Sequence, residues 1–123
     1  MIVAYWIVAG VLALMYLAAG GMKLAQPRQK LQASGMGFVE DFSAPSVKLV
    51  GAVEVLGALG LILPVITRIA PWLSVAAAIG LVLVQVGAII VHVRRGETNR
   101  LGMNIALLVL ASVAVWLAAA TLV

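Results

Sequence analysis

The sequence predicts an all-α integral membrane protein, a four-helix bundle with a long cytoplasmic loop between helices 1 and 2. Of its 123 residues, 65% are hydrophobic and only 10% are charged, whereas soluble domains carry about 45–50% apolar and about 25% charged residues. The mean hydropathy is +1.22. A water-soluble fold of this size could not bury so much apolar surface, so lipid must cover much of it.

Four apolar stretches are predicted to be membrane-spanning helices and together form a single domain over residues 1–123: 2–24, 46–66, 69–93 and 101–122. A helix that crosses a bilayer needs about 20 mostly apolar residues. The first, third and fourth stretches contain uncharged runs of that length, whereas the second has Lys48 at its edge and Glu54 inside it. A single carboxylate is tolerated within a span if it faces protein or a polar cavity.

The predicted connections differ in length. Residues 25–46 form the long segment between the first two spans, and its stretch GMGFVEDF (35–42) is expected to form a short interfacial turn. Pro64 and Pro71 bracket a tight turn between the second and third spans. The stretch RRGETN (94–99) joins the third span to the fourth.

The basic residues predict the orientation in the membrane. An even number of spans places both termini on one side. Seven of the eight Lys and Arg residues lie on the other side, and only Arg68 lies on the side of the termini. The seven are Lys23, Arg28, Lys30, Lys48, Arg94, Arg95 and Arg100. The positive-inside rule makes their side cytoplasmic, so we expect a bacterial cytoplasmic (inner) membrane protein with both termini outside.

The composition excludes several kinds of chemistry. The chain has no cysteine and one histidine, which excludes disulfides, thiolate-bound iron–sulfur clusters and bis-histidine haem ligation within one chain. A net charge of +4 would suggest nucleic acid for a soluble protein. Here the charges flank apolar spans, so topology and lipid headgroups explain them, and no nucleic-acid partner is expected. No motif identifies an enzyme, a cofactor or a metal site.

Polar side chains are expected to meet in the cytoplasmic half of the bundle. At about 1.5 Å per helical residue, Glu54 lies about 12 Å and Gln85 about 10 Å inside their spans. Asn104 lies about 6 Å inside the fourth span, and Lys23 and His92 lie at the cytoplasmic ends of the first and third. We predict that these five residues bind a ligand, with Glu54 as the best candidate for a catalytic group.

Structural roles are open for the same residues. Glu54 would then be a buried hydrogen-bonding group that ties helices together, and Gln85 and Asn104 would be interhelical hydrogen-bond partners. His92 would lie at the level of the lipid headgroups, and Lys23 would be an anchor at a helix end. Four aromatic residues are expected to form a belt at the outer interface: Tyr5, Trp6, Trp72 and Trp116.

Three stretches carry a resemblance to a known family: GGMKL (20–24), GAVEVLGALGLILP (51–64) and GAIIVHVRRGE (87–97). With the uncharged fourth helix, they resemble the DoxX-like family of small four-helix membrane proteins over nearly the full chain. The resemblance implies a compact membrane bundle and a link to quinones, since founding members are associated with a quinone-linked thiosulfate-oxidising complex. Other relatives are associated with membrane oxidoreductase assemblies or assembly-factor roles. The family-like polar positions are Lys23, Glu54, His92, Arg94 and Glu97.

Three functions are open at this point. The leading hypothesis is a membrane subunit that binds a quinone-like or other amphipathic small molecule in an inward-facing polar cavity, linked to a redox assembly. The second is a non-catalytic assembly or scaffold subunit, which binds other membrane proteins or further copies of itself. The third is a proton-coupled small-molecule transporter. It is the weakest, because small multidrug transporters carry their key glutamate in the first helix, where this chain has none.

Overall fold

A computed structural model describes residues 1–33, 39 and 42–122 of the chain, and all the secondary structure in this part is helical. Four helices are long and apolar enough to cross a membrane, which confirms the prediction of four spans. They are α1 (Ile2–Ala25), α3 (Ala44–Thr67), α4 (Trp72–Arg94) and α5 (Leu101–Leu122). A short helix, α2 (Arg28–Ala33), lies between the first two spans, and a 3₁₀ turn (Thr98–Arg100) leads into α5.

The structure does not support the long loop predicted after the first span. Only Gln26 and Pro27 separate α1 from α2, which begins at Arg28. The residue before a proline is pushed out of the helical region, and Gln26 accordingly is extended, with φ −108° and ψ 145°. The Pro27 carbonyl then accepts from the Leu31 N–H at 3.1 Å in the first turn of α2. Most of the interfacial turn expected at 35–42 lies outside the described residues.

The four long helices pack in a ring: α1 contacts α3, α3 contacts α4, α4 contacts α5, and α5 contacts α1. Small residues let membrane helices approach closely, and alanines from every span line the core. The largest side chains in that core are Tyr5, Leu12, Tyr16, Leu61, Leu81 and Leu117. Large apolar side chains point outward on all four spans, among them Leu14, Leu56, Leu83 and Val109. This outer surface suits contact with lipid.

One member of the predicted aromatic belt lies in the core instead. Trp72 and Trp116 are 58% and 60% exposed, as a belt requires, whereas Tyr5 is fully buried. The Tyr5 hydroxyl donates to the carbonyl of Leu61 on α3 at 2.6 Å. Because a buried tyrosine hydroxyl needs a hydrogen-bond partner, this contact explains why the ring points inward. The belt prediction was therefore wrong for Tyr5.

Pro64 lies inside α3, which continues to Thr67, so this proline does not end the span. A proline lacks the N–H that would bond the carbonyl four residues earlier, here the carbonyl of Gly60. The hydroxyl of buried Ser74 on α4 donates to that carbonyl at 3.0 Å. Membrane helices tolerate internal prolines where a neighbouring helix supplies such a donor. The contact also fixes α4 against α3 near the turn that joins them.

We predict that Ser74→Ala lowers the free energy of unfolding by about 1–3 kcal/mol, because it leaves a partly buried carbonyl inside a membrane span without a donor. The loss should nearly disappear in a Pro64→Ala background, where residue 64 regains the N–H that can bond Gly60. Chemical unfolding in detergent micelles, arranged as a double-mutant cycle, measures this coupling. Ser112→Ala is the control, since exposed Ser112 donates to Leu108 within its own helix. Equal losses in both backgrounds would contradict the assignment.

Candidate functional site

Helices α1 and α3 touch backbone to backbone at a pair of glycines. A Cβ atom added to Gly20 would lie 2.7 Å from the carbonyl oxygen of Gly51. One added to Gly51 would lie 2.8 Å from the carbonyl oxygen of Gly20. Both separations are shorter than Cβ contacts in real proteins, so a side chain at either position would force the helices apart. The glycines therefore allow a close crossing.

Lys23 lies about one helical turn after Gly20 in the chain, and Glu54 lies about one turn after Gly51. Their side chains form an ion pair. The Lys23 Nζ donates to the Glu54 Oε1 at 2.5 Å, and the two residues are 8% and 4% exposed. Cα–Cβ bonds tilt toward the N-terminus of a helix. Since α1 and α3 run antiparallel, the two side chains point toward each other across the crossing. Of the four polar residues that the sequence predicts to meet Glu54, the structure pairs it with Lys23.

Tyr16 and Gln85 form a second buried polar contact. The Gln85 Nε2 donates to the Tyr16 hydroxyl oxygen at 2.5 Å, and both residues are almost fully buried. The sequence prediction included Gln85 and missed Tyr16. Two signals could have identified it: Tyr16 precedes Lys23 by seven residues, which places both on one helix face, and it lies away from the interfaces where tyrosines usually anchor.

His92, near the end of α4, contacts Glu97 through a tight turn. Gly96 has φ 72°, a left-handed conformation that favours glycine, and the Glu97 N–H bonds the His92 carbonyl at 2.8 Å. The turn places the Glu97 Oε1 3.1 Å from the His92 Nδ1 and 3.1 Å from the Arg95 Nε. Arg94, a family-like polar position, is exposed. Within the described part of the chain, no three His, Cys, Asp or Glu side chains lie together as a metal site would require.

A cavity of about 630 Å³ lies among the helices in this half of the bundle. Its wall includes all five residues predicted to bind a ligand: Lys23, Glu54, Gln85, His92 and Asn104. Tyr16 also lines it. The structure thus brings together polar groups that are far apart in the sequence and come from all four spans.

Two amide side chains on the cavity wall have buried atoms without a hydrogen-bond partner. They are the Oε1 of Gln85 and the Nδ2 of Asn104. Buried polar groups are normally paired, and leaving one unpaired costs about 1–3 kcal/mol. An acceptor and a donor are therefore left on residues that line a space large enough for a small molecule.

The cavity is mostly apolar and reaches the outer surface of the bundle. Near the turn that joins α3 to α4 the two helices are in close contact, since a Cβ at Gly60 would lie 2.7 Å from the Cβ of Ala77. Toward their other ends, the cavity wall includes Leu49, Val53 and Leu83, which are 66%, 41% and 65% exposed. Exposed apolar side chains on the wall indicate an opening toward lipid.

Residues 7–121 match the model of the DoxX-like family, so the match covers almost the whole chain. The matched range includes every residue predicted for the ligand site. No curated protein and no solved structure is significantly similar to the chain.

We predict that Gly20→Ala and Gly21→Ala have opposite effects on stability. A methyl group at position 20 would meet the Gly51 carbonyl and the side chains of Val55 and Glu54, whereas nothing lies within 4 Å of one at position 21. Overpacking costs about 1–3 kcal/mol, while replacing an unhindered helical glycine by alanine stabilises by up to about 1 kcal/mol. Thermal unfolding of both variants in one detergent measures the difference. Equal losses at the two positions would contradict the close crossing.

We predict that the turn after α4 is sensitive to acid. The hydrogen bond from His92, and then the hydrogen bond and charge of Arg95, hold the pKa of Glu97 below its ordinary 4.5. Because the folded-state pKa is the lower one, the stabilisation is complete above the unfolded-state pKa and is lost as the pH falls through the folded-state pKa. The melting temperature of Glu97→Gln should therefore fall below that of wild type above the carboxyl range and approach it in stronger acid.

Arg94→Gln is the control for this measurement, because it removes an exposed charge from the same end of α4. The difference in melting temperature between Arg94→Gln and wild type should not change over the pH range in which a carboxylate becomes protonated. A Glu97→Gln difference that persists unchanged in strong acid would contradict the assigned contact.

Proposed function

Because the chain belongs to the DoxX-like family and has four helices able to span a membrane, we propose that this integral membrane protein binds an amphipathic small molecule in the cavity between its helices. The apolar body of the ligand would contact the apolar helix walls. Its polar head would lie against the buried polar groups, and the opening between α3 and α4 would admit it from the lipid.

The observation that carries the proposal is a mostly apolar cavity with unpaired polar atoms on its lining residues. Small-molecule sites typically enclose about 300–1,000 Å³ and combine apolar walls with a few polar groups. This cavity of about 630 Å³ has that character, and Gln85 and Asn104 each keep a buried atom without a partner. A ligand hydroxyl could donate to the Gln85 Oε1 or accept from the Asn104 Nδ2, whereas a ligand carbonyl could only accept from the Asn104 Nδ2.

Each polar group has a proposed role. The Asn104 Nδ2 would donate to an oxygen of the ligand, and the Gln85 Oε1 would accept from a ligand hydroxyl or amide. Tyr16 orients the Gln85 amide through its hydrogen bond. Lys23 and Glu54 compensate each other's charge, so they would offer polar contact without adding a net charge to the membrane interior.

A quinone-like head group fits this set of side chains, because its oxygens need hydrogen-bond donors and the Asn104 amide provides one. A bound quinone would supply chemistry that couples electrons to protons. The residues on the cavity wall would bind and orient such a head group and exclude water from it. An electron-carrying membrane partner would then be required, in line with the redox assemblies that the family resemblance implies.

We also propose that the cavity lies in the cytoplasmic half of a bacterial cytoplasmic membrane, with both termini outside. The described basic residues on the side of α2 and the α4–α5 turn are Lys23, Lys30, Lys48, Arg94 and Arg95, whereas Arg68 lies at the opposite side. Cytoplasmic loops carry an excess of Lys and Arg, so the charge distribution supports this orientation.

A second candidate function is a non-catalytic assembly subunit. The Lys23–Glu54 ion pair favours it, because a pair that joins two helices contributes to packing whether or not a ligand binds. The exposed apolar helix faces would then contact other membrane proteins or further copies of the chain. In this case, changes to the cavity should alter no bound small molecule.

We predict that Gly87→Leu removes a bound amphiphile and that Gly80→Leu retains it. Both glycines lie on α4 with nothing within 4 Å of an added Cβ, but only Gly87 lines the cavity. The Cβ of a leucine at position 87 therefore meets no other atom, and we expect the rest of the side chain to occupy cavity space. Mass spectrometry of protein extracted gently from its native membrane should detect the same co-purifying small molecule in wild type and Gly80→Leu only.

Glu54→Gln in the same experiment separates the two candidate functions. Loss of the small molecule from a folded Glu54→Gln protein would support the ligand site. No small molecule in any sample, together with a poorly folded variant or missing partner proteins, would favour the assembly subunit. Full retention of the molecule by Gly87→Leu would contradict the proposed cavity.

A further inference from the structure

We propose that His92 presents an unprotonated ring nitrogen, Nε2, to the cavity and thereby selects ligands whose head group carries a hydroxyl. The inference rests on the proposed function, because it specifies the chemical class of ligand for the same cavity. Glu97 is a positioning residue in this arrangement. It contacts His92 rather than the ligand and fixes which ring nitrogen carries the proton.

The backbone fixes the position of Glu97 relative to His92. The N–H of Glu97 bonds the carbonyl of His92 at 2.8 Å, and the N–H of Gly96 bonds the carbonyl of Val93 at 3.1 Å. These bonds form the usual glycine-dependent end of a helix, with Gly96 at φ 72°. The turn therefore brings residue 97 back beside the last turn of α4, where its carboxylate contacts the His92 imidazole.

The contact determines the tautomer of the neutral imidazole. An ionised carboxylate can only accept hydrogen bonds, and the Arg95 Nε donates to the same Glu97 oxygen that lies 3.1 Å from the His92 Nδ1. The Nδ1 must therefore carry the hydrogen in order to bond Glu97. In a neutral imidazole with one protonated nitrogen, the other nitrogen has a lone pair and accepts. For His92 that nitrogen is Nε2.

The Nε2 is also the nitrogen that a ligand in the cavity would meet. His92 lines the cavity, whereas Glu97, which contacts its Nδ1, does not, so we infer that the Nε2 lies on the side of the ring nearer the cavity. The other charged and titratable groups on the wall are paired with each other: Lys23 with Glu54, and the Tyr16 hydroxyl with the Gln85 amide. On residues of this wall, the His92 Nε2 and the Gln85 Oε1 are then acceptors without a partner, and the Asn104 Nδ2 is a donor without one. The Tyr16 hydroxyl accepts from Gln85 and keeps its own hydrogen to donate.

This set of groups favours a hydroxyl over a carbonyl or an ether. A hydroxyl can donate to Nε2 and accept from the Asn104 amide at the same time. A carbonyl or ether oxygen only accepts, so it would leave the His92 acceptor unpaired after the ligand displaces water. The selected class is thus an apolar molecule with a phenol or alcohol head. Among quinone-like molecules, it is the reduced form that bears hydroxyl groups.

Nitrogen NMR tests the tautomer directly, because His92 is the only histidine in the chain. Isotopically labelled wild type in detergent at mildly alkaline pH should show a protonated Nδ1 and an unprotonated Nε2. Glu97→Gln should give a mixture of tautomers, because a side-chain amide can donate to Nδ1 as well as accept from it. Arg94→Gln removes an exposed charge nearby and, as the control, should keep the wild-type tautomer.

A matched pair of probes tests the selection: para-octylphenol and its methyl ether, which differ only in replacement of the hydroxyl hydrogen by a methyl group. Wild type should bind the phenol roughly tenfold more tightly than the ether, the difference expected for about one hydrogen bond. The Nε2 signal should shift when the phenol binds and should not shift with the ether. Glu97→Gln should show a smaller preference for the phenol, because only part of its molecules present an unprotonated Nε2, while Arg94→Gln should keep the full preference.

The outcomes separate this inference from the proposed function. A protonated Nε2 in wild type, or equal affinity of wild type for the two probes, would overturn the hydroxyl selection and leave the cavity as a binding site. Binding of neither probe to wild type, or equal binding of both to wild type and Gly87→Leu, would overturn the proposed function and the inference with it.

Discussion

One ion pair, between Lys23 and Glu54, organises the polar half of the bundle. The close crossing of α1 and α3 at Gly20 and Gly51 brings the two side chains within reach of each other. A single charged side chain at the centre of a membrane helix costs about 2.5–3.5 kcal/mol on insertion scales. Glu54 is tolerated inside α3 because Lys23, in the last turn of α1, compensates its charge at 2.5 Å. The contact requires α1 and α3 to approach so closely that neither glycine can carry a side chain. Because α4 and α5 close the ring of helices around this pair, the polar side chains that they carry lie in the same half of the bundle.

Hydrogen bonding differs between the surroundings of Pro64 and the cavity. The carbonyl that Pro64 deprives of its helical donor bonds Ser74, and Tyr5 bonds the next carbonyl along α3. In the cavity wall, by contrast, Gln85 and Asn104 keep buried atoms without partners. The same chain thus supplies a donor for a single freed carbonyl and leaves an acceptor and a donor beside a cavity. That contrast favours a ligand as the missing partner over an incompletely packed core.

The sequence predicted features that belong to one segment and missed those that depend on contacts between segments. Length and apolarity identified the four spans, and depth along each span placed the polar residues in one half. The choice of Lys23 as the partner of Glu54 depends on the helix crossing, which no single span specifies. Tyr16 was missed because aromatic residues in membrane proteins often lie at interfaces. That it points into the bundle can be inferred only from the helix face that it shares with Lys23. The short helix α2 has six residues, too few for a periodic pattern.

The packing of α3 against α4 gives the cavity its opening toward lipid. Gly57 and Gly60 let Leu81 and Ala77 approach closely, which closes the space between these helices near their connecting turn. Farther along, exposed Leu83 belongs to the cavity wall, so the proposed ligand would enter from the acyl-chain region. A molecule that follows this path must first partition into the bilayer, and this requires a large apolar body. If the proposed function is correct, entry would select for apolar surface and the buried polar groups would select the head, and the two requirements together describe an amphiphile.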